Sequence, residues 1–252
     1  MGTWTWAAAS CRGTSHLQDD TRCQDAFACS VKEHGSRIIA VLCDGAGSAH
    51  MGGVGAALVA RTISVRARAH HSLSSQAVND ETLRAWVDDA RDAIGHVAQR
   101  RSLRPRDFAT TMICAISDGV ETIVAHIGDG CAVAQDAQTQ EWIALTWPAH
   151  GEYASSTYFI TDDPHPQLLI HRHSGMFSAL VAFTDGLERL ALDFTGRKPH
   201  APFFRGIAAP VAASDAKGRD PVLSAQLKRY LDSTAVNART DDDKTLLVAV
   251  HR

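Results

Sequence analysis

Three apolar runs in this chain stop on the same dipeptide. "AVLCDG" ends in Asp44-Gly45, "VAHIGDG" in Asp129-Gly130 and "VAFTDG" in Asp185-Gly186, while an acidic group, "TDDDK", stands just ahead of "LLVAV". Asp-Gly is turn chemistry, so a single such ending asks for no more than a tight turn after a strand. Three endings and an acidic start constrain the fold more, because a central sheet would carry them all to one edge. Carboxylates gathered there repel one another in a low-dielectric cleft unless cations offset them. No cysteine or histidine accompanies them at ligand spacing, so the donors are oxygens, and a hard oxygen set suits Mg²⁺ or Mn²⁺ better than Zn²⁺.

The periodicity around these endings is mixed. "SRIIAVLCD" (36–44) is a short continuous apolar run rich in β-branched residues, as expected of a strand buried on both faces. "VGAALVARTISVRARA" continues as a helix. In "NDETLRAWVDDARDAIGHVAQR", Trp86, Val87, Ala90, Ile94 and Val97 recur at helical spacing, with Asn79 or Asp80 as cap. "ATTMICAIS" and "ETIVAHIGD" flank Asp118-Gly119, a hairpin signal, and "CAVAQD", "EWIALT" and "ALVAFTDG" extend the strand series. "RDPVLSAQLKRYLDS" predicts a late helix and "KTLLVAV" a closing strand. Segregated runs of this kind predict an α+β layered fold rather than an alternating parallel sheet. Residues 147–175 have no clear period and read as a surface insertion near the site. Trp4 and Trp6 alternate on a segment expected to cover the core from an edge strand.

Composition excludes several classes. With 252 residues, 45% hydrophobic and 21% charged, the chain has the make-up of an ordinary globular protein able to bury a large core. A net charge of −3 gives no basis for a nucleic-acid or anionic-membrane partner. A metal-dependent nuclease on the same carboxylates is disfavoured because no basic groove is apparent beside them. No apolar run approaches the roughly 20 residues of a membrane span, and the opening residues lack a signal peptide's basic head and apolar core. Gly2 is followed by Trp6 where a myristoylation signal needs Ser or Thr. The six cysteines show no paired spacing and are expected reduced, in a cytoplasmic protein. "GAGSAHMGGVG" lacks the third glycine of a dinucleotide fingerprint, and Asp44 would repel a pyrophosphate held without metal. His171 and His173 share a face without a third ligand and read as a solvated strand edge. Cys23 reads as a packed thiol, with a redox-sensitive one as the alternative.

"CQDAF" (23–27), "DGAGSA" (44–49), "ATT" (109–111), "IGDG" (127–130), "FTDGL" (183–187) and "DDKTLLVAV" (242–250) come in the order of the type 2C metal-dependent protein phosphatases, and the chain most resembles their compact bacterial branch. The resemblance spans nearly all of residues 1–252, which are expected to form a single domain. It implies a four-layer α-β-β-α sandwich with a central antiparallel β-sandwich and a dinuclear Mg²⁺/Mn²⁺ site at one edge. It further implies hydrolysis of phosphoserine and phosphothreonine by direct attack of a hydroxide bridging the two ions. Carried over by position, Asp25 and Asp44 resemble ligands of the metal pair, with Asp44 bridging, and the Gly45 carbonyl adds a backbone ligand. Asp185 and Asp242 resemble two carboxylates that hold one metal from later strands. Asp129 resembles the ligand of an exchangeable third ion, and Thr111 a structural support. Strand alternation allows only one of Asp241, Asp242 and Asp243 to be the ligand, and the motif register of the resemblance implies Asp242, with Asp243 behind it and Asp241 in solvent.

Three departures stand out. Gln24 occupies a position often held by glutamate, Ala46 the place of the histidine in the family's "DGHGG", and Asp20 the place of a phosphate-binding arginine. Arg12, His16 and Arg22 lie near enough in sequence to substitute. His16 is the expected proton donor, with a surface-loop histidine as the alternative reading. Implied partners are a phosphorylated protein and, by analogy, a cognate Ser/Thr kinase. The alternative is a catalytically weak, phosphatase-like regulatory or binding module. Retention of Asp25, Asp44, Asp185 and Asp242 favours the enzyme.

Overall fold

A computed structural model describes residues 2–32, 35–73, 78–149 and 157–252. The chain starts with strand β1 (Trp4–Cys11), the short helix α1 (Thr14–Gln18), and strands β2 (Asp25–Lys32) and β3 (Arg37–Asp44). Helices α2 (Gly52–Leu73) and α3 (Asp80–Arg100) follow. Next come β4 (Met112–Ser117), β5 (Glu121–Ile127), β6 (Cys131–Asp136), β7 (Trp142–Ala144), β8 (Leu169–Ser174) and β9 (Phe177–Phe183). The remainder comprises α4 (Glu188–Ala191), the two-residue strands β10 (Leu192–Asp193) and β11 (Lys198–Pro199), then α5 (Ala201–Ala212) and the equally short β12 (Gly218–Arg219). Helices α6 (Pro221–Leu231) and α7 (Thr234–Asn237) lead into β13 (Lys244–His251).

Two sheets stack face to face, one ordered β2-β3-β4-β5-β8 and the other β12-β1-β13-β9-β6-β7. Both are antiparallel except for the two-residue β1–β12 pair. Side-chain alternation explains the layering. Along β3, Ile38, Ala40 and Leu42 enter the core between the sheets, while Ile39, Val41 and Cys43 pack beneath α2 and α3. A strand covered on both faces has no polar face to show, hence the unbroken apolar run. On the other sheet, Val181 and Phe183 of β9 face α5 and α6, and Leu180 and Ala182 face inward. The result is the expected α+β order of helices, sheet, sheet, helices.

Asn79 caps α3, its side chain accepting from the Thr82 N–H at 2.8 Å. Leu83, Trp86, Val87, Ala90, Ile94 and Ala98 form the buried stripe of that helix, with Val97 only partly buried beside it. The Asp118-Gly119 hairpin joins β4 to β5, with Gly119 at φ +87°. Two expectations change. β1 is not an outer edge, because β13 pairs with it along all eight residues and β12 along two. Trp4 and Trp6 accordingly sit between the sheets. The segment 147–175 is not all insertion: β8 completes the β2-β3-β4-β5-β8 sheet, with His171 and His173 on this edge strand, and residues 150–156 lie outside the described residues. Among the described residues, no helix is long and apolar enough to cross a membrane.

Candidate active site

Antiparallel register sets the first pair of carboxylates, because Asp25 at the start of β2 lies directly opposite Asp44 at the end of β3. The Asp44 backbone is held on both sides. Its N–H donates to Thr111 Oγ1 at 3.0 Å, and its carbonyl accepts from the Thr111 N–H at 2.8 Å and from Thr110 Oγ1 at 2.7 Å. Thr111 is thus the structural support expected of it. The turn that follows has to be glycine, since a Cβ on Gly45 would lie 2.3 Å from the Gly52 carbonyl carbon. Gln24 braces this turn. With its amide nitrogen facing the turn, it donates to the Gly45 and Ala46 carbonyls at 3.0 and 3.1 Å. A glutamate there would set acceptors against acceptors, so the amide suits this local structure better than the carboxylate it replaces.

Asp185 opens the single 3₁₀ turn after β9, and Gly186 lets that turn pass β13, where a Cβ would fall 2.0 Å from the Asp243 carbonyl oxygen. The preceding Thr184 ties the two sheets together. Its hydroxyl donates to Asp25 Oδ2 at 2.9 Å and accepts from the Thr245 N–H at 2.9 Å. Asp242 stands at a bend just before β13, which begins at Lys244. The alternation used to sort Asp241, Asp242 and Asp243 therefore does not apply, because the strand has not yet begun. What separates them is burial and bonding. Asp243 is 1% exposed and accepts from the backbone N–H groups of Gly13 at 2.6 Å and of Gln24. Lys244, fully buried, donates to Asn237 Oδ1 and to the Asp242 carbonyl, fixing the acidic bend from behind.

These elements enclose a cleft of about 180 Å³ that is bordered by His16, Asp44, Asp129, Asp185 and Asp242, with Ala46 and Phe159 among its other walls. Asp129 accepts from Thr157 Oγ1. His16 reaches the cleft from α1, its Nδ1 3.0 Å from Asp243 Oδ1. Of the suggested substitutes it alone does so. Arg12 is spent on the His16 carbonyl and on Asp20, and Arg22 is exposed and outside the cleft lining. Among the described residues, the lining contains no lysine or arginine. A larger apolar cavity of about 410 Å³, between α5 and α6, holds none of these residues.

Electrostatics follow from this crowding. Burial, reinforced by Asp243 and Asp185, pushes Asp25 up to about 7 despite its hydroxyl partners. Burial and then Asp25 and Asp185 push Asp44 well above the carboxylate range. Asp185, within hydrogen-bonding reach of Asp44, rises to about 7 through burial and the charges of Asp129, Asp242 and Glu188. Asp242 is raised by burial, and Glu188 by burial and Asp129. Asp25 Oδ1, Asp185 Oδ1 and Glu188 Oε2 are buried without any hydrogen-bond partner. Orphaned acceptors in a carboxylate cluster whose described lining holds no lysine or arginine suit hard divalent cations. Among the described residues, no three ligand-type side chains already stand close enough to cage one ion.

Sequence reasoning missed Thr184, Lys244, Glu188 and the bracing role of Gln24. Only Glu188 left a trace, as a carboxylate three residues after Asp185.

Comparison with known proteins agrees with this geometry. A family profile described as protein phosphatase 2C matches residues 12–232. Serine/threonine-protein phosphatase 3 of Escherichia coli (strain K12) is 37% identical over 256 residues, covering 98% of each chain. A bacterial serine phosphatase structure superposes with a TM-score of 0.65 at 17% identity, over 97% of this chain and 96% of that one. The serine/threonine phosphatase Stp1 from Staphylococcus aureus does so with a TM-score of 0.63 at 17% identity, over 99% and 95%. At such identities the two structures speak for the fold, while the profile and the E. coli relative speak for descent. This chain belongs to the protein phosphatase 2C family.

Proposed function

We propose that this serine/threonine protein phosphatase of the 2C type hydrolyses phosphoserine and phosphothreonine in proteins, with residues 1–252 acting as one catalytic domain. The observation that carries the reading is the gathering of carboxylates from separate strand ends around one cleft, with one oxygen each of Asp25 and Asp185 buried and, among the described residues, without a partner. Asp25, Asp44, Asp185 and Asp242, with the Gly45 carbonyl, would hold two Mg²⁺ or Mn²⁺ ions, and Asp129 a third. When bound, such ions supply an activated water and offset the charge of the phosphoryl group.

The chain's own contribution is to hold and to protonate. Thr184 keeps Asp25 turned toward the seam between the sheets, and the Thr110–Thr111 pair fixes Asp44. His16 lines the cleft with its Nδ1 3.0 Å from Asp243, and on this reading its other ring nitrogen would give a proton to the departing serine or threonine oxygen. On this reading His16 takes over from the histidine missing at Ala46. His16→Ala should lower hydrolysis of a phosphoserine peptide by about 10²-fold or more, in the range of general acids. Hydrolysis of p-nitrophenyl phosphate should fall far less, since nitrophenolate departs unprotonated. Equal losses on both substrates would assign His16 to positioning.

A phosphoprotein substrate implies a Ser/Thr kinase upstream as the natural counterpart. Six free cysteines support a reducing, cytoplasmic setting. The experiment is hydrolysis of a phosphothreonine peptide by chelator-stripped protein with Mn²⁺, Mg²⁺ or neither. Turnover should return with either ion and be absent in EDTA. Full turnover in EDTA would remove the metal reading, and no turnover under any condition would favour the regulatory module.

A further inference from the structure

A second cleft, of about 620 Å³, opens beside the first and shares Ser48 and Phe159 with it. The inner cleft is large enough for a phosphoryl group and little else, so the peptide carrying it has to run outside. The second cleft falls in the size range of sites that bury a sizeable ligand.

Both of its walls are anchored. One is the 3₁₀ turn Pro105–Phe108, whose Phe108 is wholly buried beneath α2 and α3. The Asp107 carbonyl accepts from the Met51 N–H at 2.7 Å, and the Ala109 carbonyl from the Ala46 N–H at 2.9 Å, binding this wall to the catalytic turn. The facing wall, Phe159 to Asp163, is pinned by buried Ile160, whose N–H donates to the Thr110 carbonyl at 2.9 Å. Arg91 adds two bonds, to the Ile160 and Asp162 carbonyls at 2.6 and 2.8 Å.

The charges on these walls are mostly spent. Arg104 is engaged with Asp107, its N–H at 2.9 Å and its guanidinium at 3.2 Å from the carboxylate. Asp162 accepts from the Phe159 N–H at 2.8 Å, and Asp163 lies 3.4 Å from Arg91. Arg106 is exposed and lines the cleft, and among the described residues its side chain has neither an ion-pair nor a hydrogen-bond partner. The cavity on the other side of Asp185 and Asp242 is more acidic, with Glu188 and Asp241 added to that pair against Arg189 and Arg239. On this side Asp107 and Asp163 are each paired with an arginine, which leaves Arg106 and Asp162 as the unpaired charges, and Arg106 as the group that can pair with an acidic side chain of a bound segment.

We propose that the second cleft receives the polypeptide flanking the phosphorylated residue and that Arg106 selects substrates with an acidic side chain in that segment. The proposal rests on the phosphoprotein phosphatase reading. Its test compares kcat/KM for two phosphothreonine peptides, one with Asp and one with Lys on both flanks, using the metal-loaded protein. The native protein should prefer the acidic peptide by about 3- to 5-fold, the upper range of an exposed ion pair, and lose the preference at high salt. Arg106→Ala should abolish the preference, Arg106→Glu should invert it, and Arg106→Lys should keep most of it. Hydrolysis of p-nitrophenyl phosphate by each variant reports that it has folded. An acidic preference that survives in Arg106→Glu, or its absence in the native protein, overturns the assignment to Arg106. Failure of the native protein on both peptides, with p-nitrophenyl phosphate still hydrolysed, overturns the phosphoprotein reading underneath it.

Discussion

Asp44→Asn should slow turnover by on the order of 10³-fold, about 4 kcal/mol of barrier, and yet make the chelator-stripped protein more stable. The loss follows from position. Asp44 faces Asp25 across the β2–β3 register and lies within reach of Asp185, so on the proposed reading its carboxylate serves both ions. The gain follows from the same crowding. Without metal, Asp25, Asp44 and Asp185 are held by burial at pKa values above their ordinary range. A carboxyl whose pKa is raised on folding binds more protons folded than unfolded, so stability falls as pH rises through the folded value. In EDTA the native protein should therefore melt at a higher temperature near pH 6 than near pH 8, and Asp44→Asn should flatten that slope. Turnover assays with Mn²⁺ and melting curves in EDTA check both halves. Turnover like that of the native protein would refute Asp44 as a shared ligand, and an unchanged slope would refute the repulsion.

Asp243→Ala should be the most damaging of the three substitutions in the acidic bend, and its damage should not depend on metal. Two backbone N–H groups, of Gly13 and Gln24, end on this buried carboxylate, with His16 beside it. Leaving two buried donors unsatisfied costs about 3 kcal/mol or more. For a chain of this size, that lowers the melting temperature by roughly 6–12 °C. Turnover should fall as well, because the Gln24 turn and His16 lose their common support. Asp242→Ala should instead leave stability nearly unchanged and weaken Mn²⁺ binding, and Asp241→Ala should do little to either. Calorimetric melts in EDTA together with Mn²⁺ titration separate the three. An Asp243→Ala protein as stable as the native one would show that the bend is held by other contacts.

The sequence placed Asp243 merely behind the ligand, and its larger share in the structure shows where sequence reading stops. Alternation and continuous apolar runs located β3, the β4–β5 hairpin, β9 and β13, because each is buried enough for its pattern to survive. The spacing of Trp86, Ala90 and Ile94 located α3 for the same reason. β2 escaped because its apolar stretch, Ala26 to Cys29, is short and is broken by Ser30, in a strand whose eight residues are all only partly buried. α5 escaped because Pro202, Gly206 and Pro210 interrupt "APFFRGIAAPVA". At the site, the Asp-Gly endings pointed to Asp44, Asp129 and Asp185, and the structure brings these into one cleft with His16 and Asp242. The partners that orient them were not legible. Thr184 meets Asp25, and Asp243 meets Gly13, only through the stacking of sheets whose strands are distant in sequence.

The pairing of β1 with β13 bears on how the protein comes into being. Strands from opposite ends of the sequence lie side by side along their whole length, and contacts of such separation form late and slowly. During synthesis β2 and β3 emerge early with Asp25 and Asp44, but Thr184, Asp185, Asp242 and Asp243 have still to be made. A nascent chain paused before Thr184 thus carries Asp25, Asp44 and Asp129 without the later residues that meet them. On the proposed reading, phosphate-removing activity then waits for the polypeptide to extend through β13, whose pairing with β1 closes the frame around the acidic bend.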